Sequence, residues 1–313
     1  MSDPDLAERL RERDLTVAPA VLNLLESRTA RARAETDALL AAVGTEAPAQ
    51  IVGITGPPGV GKSSLLSRLI TAWRARNRSV AVLAVDPSSK RSGGALLGDR
   101  ARIEVDPADK RVFIRSTAAG DRLGGLAPAT RAAAAALAVA FDVVVIETVG
   151  VGQSETEVAD VADTVAVVVQ PGSGDVLQFL KAGIMEVPDV LVVTKVDLGK
   201  VATRAISDLR AALRSLGAAD TAVVAVSSLS PPSGIDELVD ALDAHRESID
   251  LHARRVHSRR MHALADFVAE HGERGLRALG GRRAAEKLLS AQEPDTNVPT
   301  LIAALEDNAR GAR

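Results

Sequence analysis

Gly56-Pro57-Pro58-Gly59-Val60-Gly61-Lys62-Ser63 satisfies the phosphate-loop spacing G-x-x-x-x-G-K-[ST]. It follows the apolar run from Gln50 to Thr55 and leads into a helix-like stretch from Ser64 to Arg76, so strand, loop and helix stand in the order the motif requires. Glycines let backbone N–H groups turn inward around a polyphosphate, and the N-terminus of the next helix adds a favourable dipole. Lys62 is placed to reach the β and γ phosphates, and the Ser63 hydroxyl to ligate magnesium. Pro58, Gly59, Val60, Gly61 and Ser64 complete the cradle. A glycine-rich turn that matched by chance would lack these flanks, so nucleotide binding is the expectation.

The chain has 313 residues, of which 46% are hydrophobic. That suffices for an α/β core of roughly 200 residues with about 100 left for flanking helices. A net charge of -3 gives no general field for nucleic acid or an anionic membrane, so neither is an expected partner. The absence of cysteine excludes disulfides, thiolate zinc sites and iron–sulfur ligation, and fits a reducing compartment. Met1 to Asp14 has no apolar segment of the signal-peptide kind, and no run of about 18 apolar residues occurs. A cytoplasmic protein is expected.

Outward from the phosphate loop, residues 50 to about 245 alternate apolar runs with helical stretches. The expected strands are Ile51 to Thr55, Val80 to Val85, Val112 to Arg115, Val143 to Ile146, Val165 to Val169, Val190 to Val193 and Ala222 to Val226. This pattern predicts an α/β fold with a mostly parallel sheet covered by helices on both faces. Residues 1–48 carry Leu6, Leu10, Leu15, Val21, Leu22, Leu24 and Leu25 at helical spacing and read as an N-terminal helical extension. The layout expected is therefore 1–48, a nucleotide domain over 49–246, and an Arg- and Ala-rich helical arm over 247–313. In that arm, Gly272 to Gly281 is expected to break one long helix and Lys287 to Arg313 to form a last one. His252, His257 and His262 are spaced by five, which does not put them on one helix face as metal ligands.

In a parallel sheet ligands collect at the carboxyl ends of strands. The second strand ends at Asp86, followed by a loop to Arg102 rich in glycine, serine and charge, which reads as a switch region. Asp86 or Asp99 can hold the magnesium shell or orient water, and Arg100 or Arg102 can meet phosphate charge, or these are solvated loop charges. After the fourth strand, Glu147 followed three residues later by Gly150 suits a carboxylate facing magnesium and a glycine N–H facing the γ-phosphate. After the fifth, Gln170 to Gly183 is a glycine-rich loop; Asp175 is either an N-cap or part of a switch, and Lys181 belongs to surface or site. The sixth gives Thr194-Lys195-Val196-Asp197. Asp197 can accept both hydrogen bonds from the guanine N1–H and amino group, and the Lys195 stem can cover the ring, which points to GTP over ATP. Thr194 stands where the usual motif has Asn, and the amide that ties loops together there is lost.

The set GPPGVGKS, VDPSS, GGALLGDRARI, VIETVGVGQSE, QPGSGD and TKVD resembles the GTPases associated with methylmalonyl-CoA mutase, the MeaB/ArgK type, over roughly 1 to 310. The resemblance implies a homodimeric GTPase that uses GTP/GDP and Mg2+, protects the B12-dependent mutase and gates adenosylcobalamin loading. It implies that Lys62 binds phosphates and that Ser63, Asp86, Asp99 and Glu147 shape the metal and water shell. Asp99 to Arg102 would move as one switch, and Asp175 to Lys181 would lie in another, which a partner can reorganise. Asp197 would read guanine, with Ser227, Ser228 and Leu229 closing over the base. Lys90 and Arg91 depart from the uncharged residues the family tends to have in the switch loop. The rival readings are an ATP-dependent small-molecule kinase or transport-coupled ATPase, and a noncatalytic scaffold.

Overall fold

The computed structural model describes residues 3–27, 29–86, 102–118, 126–148, 157–172 and 188–311. In chain order the elements begin with α1 (Asp3–Arg11), a 3-10 turn, α2 (Ala18–Leu25), α3 (Ala30–Val43), β1 (Gln50–Thr55), α4 (Lys62–Ala75), β2 (Val80–Asp86) and β3 (Val112–Ala118). They continue with α5 (Pro128–Ala140), β4 (Val143–Glu147), β5 (Thr164–Val169), β6 (Val190–Val193), α6 (Lys200–Ser215), β7 (Ala222–Ala225) and α7 (Ile235–Ser248). The last three are α8 (Leu251–Ala278), α9 (Arg282–Ser290) and α10 (Val298–Gly311). The chain divides into two compact units, one of residues 50–127 with 141–249, the other of 1–49 with 128–140 and 250–313.

The first unit is a seven-stranded sheet in the order β3-β2-β4-β1-β5-β6-β7, parallel throughout. All seven expected strands form, with ends shifted by no more than three residues. Every residue of β1, β2, β4, β5 and β6 is buried, as continuous runs of Val, Ile and Ala require when both faces of a parallel sheet are covered. Leu65, Leu66, Leu69 and the fully buried Trp73 of α4 pack with Val82, Ile54 and Val168, and with Leu238 and Leu242 of α7. Each such side chain contributes about 2 kcal/mol by leaving water, which fixes α4, and the loop before it, against the strand ends.

The second unit is helical. Its core gathers Leu264 and Phe267 of α8, Leu289 of α9, and Leu301 and Leu305 of α10. The expected break over Gly272 to Gly281 is smaller than the sequence suggests. The chain leaves helical geometry at Gly272 (φ 60°, ψ -165°) and the helix resumes as far as Ala278, because Leu276 finds a place in the same core. The expected single helix over 287–313 is two, α9 and α10. His262 turns inward: it meets Asp266 at 3.0 Å, and Arg131 of α5 also pairs with that carboxylate. Burial alone would raise the Asp266 carboxyl, but its charge and hydrogen-bond interactions with His262 and Arg131 outweigh it and hold it at about 2, against an ordinary 3.8.

A group depressed on folding contributes its stability above its unfolded pKa and loses it as pH falls through its folded one. The Asp266 contribution is therefore complete above about pH 5 and is lost as pH falls from about 4 to about 2. Asp266→Asn removes the carboxylate that the buried Arg131 and His262 share and is expected to lower unfolding stability by about 3 kcal/mol near neutral pH in urea titration, with acid sensitivity between pH 4 and 2 reduced. Wild-type stability in that variant would contradict the assignment.

Candidate nucleotide site

The loop after β1 is shaped by what surrounds its peptides. Gly56 has φ 142°, and a Cβ there would lie 2.1 Å from the Val168 carbonyl oxygen of β5, so no larger residue fits. Gly61, at φ 96°, turns the chain into α4 and brings no side chain to cap the first helical N–H groups. The helix starts at Lys62, two residues earlier than its sequence suggests, because this left-handed turn replaces an ordinary cap. Lys62 is 8% exposed and its Nζ donates to the Gly56 and Pro57 carbonyls at 2.7 and 3.2 Å, inside the loop it is expected to serve.

Two further carbonyls of the loop are held from the end of β6. The Thr194 hydroxyl donates to the Val60 carbonyl at 2.7 Å, with the Val169 carbonyl at 3.1 Å, and Lys195 Nζ donates to the Gly59 carbonyl at 3.1 Å and to Gln170 Oε1. In a trans peptide C=O and N–H point in opposite directions. Holding the carbonyls of Gly59 and Val60 toward β6 therefore turns the N–H groups of Val60 and Gly61 the other way. Successive N–H groups aimed together with a helix N-terminus make an anion cradle. The tie that loss of the usual amide at position 194 leads one to expect missing is made here by the Thr194 hydroxyl, which is short enough to sit 3% exposed beneath the loop.

Beside the cradle, Ser63 Oγ donates to Glu147 Oε1 at 3.1 Å. Glu147 pairs in register with Ile54 of β1 and Ala84 of β2, so Asp86, two residues beyond Ala84, points to the same face. Both carboxylates are buried, at 2% and 1% exposure. A hydroxyl and two carboxylates at adjoining strand ends form an all-oxygen donor set that suits a hard divalent cation such as Mg2+.

On the other side of the loop, Lys195 adopts the left-handed region at φ 54° and carries the chain from β6 into a 3-10 turn over Val196–Leu198. That turn exposes Asp197, whose Oδ1 accepts a 2.7 Å hydrogen bond from the Ser227 hydroxyl. The Leu229 N–H reaches the same hydroxyl at 3.4 Å, and Arg68 of α4 donates to the Ser228 carbonyl at 3.1 Å. Leu229 is 63% exposed. A fixed carboxylate with an apolar side chain and a lysine stem around it is able to hold a flat base with two adjacent donors.

Pro58 to Ser64, Asp86, Glu147, Lys195, Asp197 and Ser227 to Leu229 thus all stand at the carboxyl edge of the sheet. Arg102 is exposed at the start of the stretch leading to β3. Asp99, Gly150, Asp175 and Lys181 lie outside the described residues. Sequence reasoning missed the roles of Arg68 and Gln170: nothing in a helical arginine or a post-strand glutamine marks it as a brace until the tertiary neighbours are known.

The family model of the methylmalonyl Co-A mutase-associated GTPase MeaB matches residues 18–276. A Pyrococcus abyssi protein described, by inference, as a GTPase is 41% identical over 264 residues, 82% of this chain and 80% of its own. The Caenorhabditis elegans mitochondrial methylmalonic aciduria type A homolog is 40% identical over 191 residues, 57% of this chain and 48% of its own. A crystal structure described as a LAO/AO transport system kinase superposes with a TM-score of 0.67 at 27% identity, covering 97% of this chain and 96% of that one.

If the Thr194 hydroxyl orients the cradle, Thr194→Val should weaken GDP and GTP binding together by about tenfold, the value of one hydrogen bond with its acceptor left unpaired. Thr194→Ser should retain binding to within about threefold by calorimetric titration. Equal affinity in wild type and Thr194→Val would remove this role from the hydroxyl.

Proposed function

The chain belongs to the methylmalonyl Co-A mutase-associated GTPase MeaB family and is a GTP hydrolase, and we propose that its hydrolysis cycle serves as a chaperone for methylmalonyl-CoA mutase, protecting that B12-dependent enzyme and gating adenosylcobalamin loading. The observation that carries the nucleotide half is the continuous brace from Ser227 through Asp197, Lys195 and Thr194 to the phosphate loop. The client half is supported by the family's description and by the relative named for methylmalonic aciduria type A.

In this reading the N–H groups from Gly59 to Ser64 bind the phosphates, Pro58 shapes the turn, and Lys62 exchanges its loop carbonyls for β and γ oxygens. Ser63, Asp86 and Glu147, with Asp99, would hold magnesium, which would supply charge neutralisation for the phosphates. Lys195 and Leu229 cover the base and Asp197 reads its guanine edge. The Gly150 N–H faces the γ-phosphate, Arg102 meets phosphate charge from the first switch, and Lys181 belongs to the second switch, with water as the attacking nucleophile. A homodimer built through the helical unit and a cytoplasmic location complete the proposal.

The second reading, a small-molecule kinase, is favoured by the description of the superposing crystal structure. Phosphate release separates the two. GTP should be hydrolysed slowly by the protein alone and faster with methylmalonyl-CoA mutase and cobalamin, and ATP should be a poor substrate. Lys62→Ala should lower GTP turnover by about a hundredfold or more. Equal use of ATP with phosphate passed to an acceptor other than water would favour the kinase, and indifference to the mutase would remove the client.

A further inference from the structure

Ser67 lies one turn behind Ser63 in α4 and is 7% exposed. Its hydroxyl donates to the Ser63 carbonyl at 3.0 Å, the back-bond a helical serine commonly makes. Its lone pair takes the backbone N–H of Glu104, 37 residues further along the chain, at 2.9 Å. Ile103, beside that peptide, is buried in the same core as Leu66, Leu69 and Ile70 of α4, with Val105 packed against it. Two turns toward the C-terminus of α4, Arg74 Nε meets Asp109 Oδ2 at 2.6 Å. The segment from Ile103 to Asp109 is thus strapped along α4 at both ends, and at the end nearer the phosphate loop the Ser67 hydroxyl fixes the Glu104 peptide beside the buried Ile103. Arg102 precedes the strap by a single residue.

We propose that Ser67 is a positioning residue for GTP hydrolysis, holding the Glu104 peptide, and through it Arg102, at a fixed place relative to Ser63. The proposal rests on the reading of Arg102 as a phosphate-side group. Removing the hydroxyl takes away the partner of the Glu104 N–H, while Ile103 and the Arg74–Asp109 pair keep the strap attached. The stub carrying Arg102 then shifts without unfolding. Displacement of a charge-stabilising group by about 1 Å is enough to cost about a hundredfold in rate.

The test is intrinsic GTP turnover, without any mutase, for Ser67→Ala, Ser67→Thr, Arg102→Ala, the double variant Ser67→Ala/Arg102→Ala, and Asp109→Asn as a control at the far end of the strap. Ser67→Ala should lower kcat about tenfold or more with GDP affinity within about threefold of wild type, and the hydroxyl-bearing Ser67→Thr should recover most of it. The double variant should fall no further than Arg102→Ala alone, because both act through one group. Asp109→Asn should lower unfolding stability with kcat retained. Wild-type kcat in Ser67→Ala or in Arg102→Ala, additive losses in the double variant, or an equal fall in Asp109→Asn would overturn the proposal. Failure of the mutase reading leaves these intrinsic rates untouched, and a wild-type chain that transferred phosphate only to another acceptor would fail the hydrolase reading instead.

Discussion

The orientation of two peptide planes governs this structure's chemistry. A phosphate cradle works only if consecutive N–H groups face the same way, and an isolated glycine-rich loop has no reason to prefer that state. Here the preference comes from outside the loop. Thr194 and Lys195, at the end of β6, hold the carbonyls of Val60 and Gly59, and the planarity of each peptide does the rest. The same short segment presents Asp197, so the group suited to reading the base and the groups that shape the phosphate site are neighbours in sequence. In the proposed function, base recognition and phosphate binding are therefore coupled through one short segment.

That assembly depends on strand order. β1 lies between β4 and β5, with β6 next, which brings the phosphate loop, Glu147 and the Thr194–Asp197 segment to one edge of the sheet. The Val168 carbonyl of β5 excludes any side chain at position 56, and buried Leu, Ile and Trp residues lock α4 onto the strands. Packing thus fixes where α4 presents Lys62 and Ser63, and electrostatic stabilisation of a phosphoryl group depends on such placement. The helical unit has its own core and its own buried charge network at Asp266.

Much of this was legible in the chain. Runs such as Val80–Asp86 and Val143–Glu147 are too apolar to be anything but strands buried on both faces, and the phosphate-loop spacing leaves few alternatives. The candidate strand ends could be named because parallel sheets collect ligands there. What the sequence hides is pairing at a distance. Thr194 reads as a loss when compared with asparagine, yet its hydroxyl lies beneath the loop and holds the Val60 carbonyl. Ser67 reads as one more polar helix residue until Glu104 arrives beside it. The break at Gly272 was legible because glycine lowers helix propensity, but the helix that resumes to Ala278 was not, since it depends on the burial of Leu276.

The account stands on a guanine-reading carboxylate coupled to the phosphate cradle. The most direct measurement is a calorimetric comparison of GDP and ADP binding to the wild-type chain with magnesium present. GDP should bind at least about a hundredfold more tightly, since adenine offers an acceptor and not a donor to Asp197 at the ring nitrogen it would face. Equal affinity for the two nucleotides would contradict it.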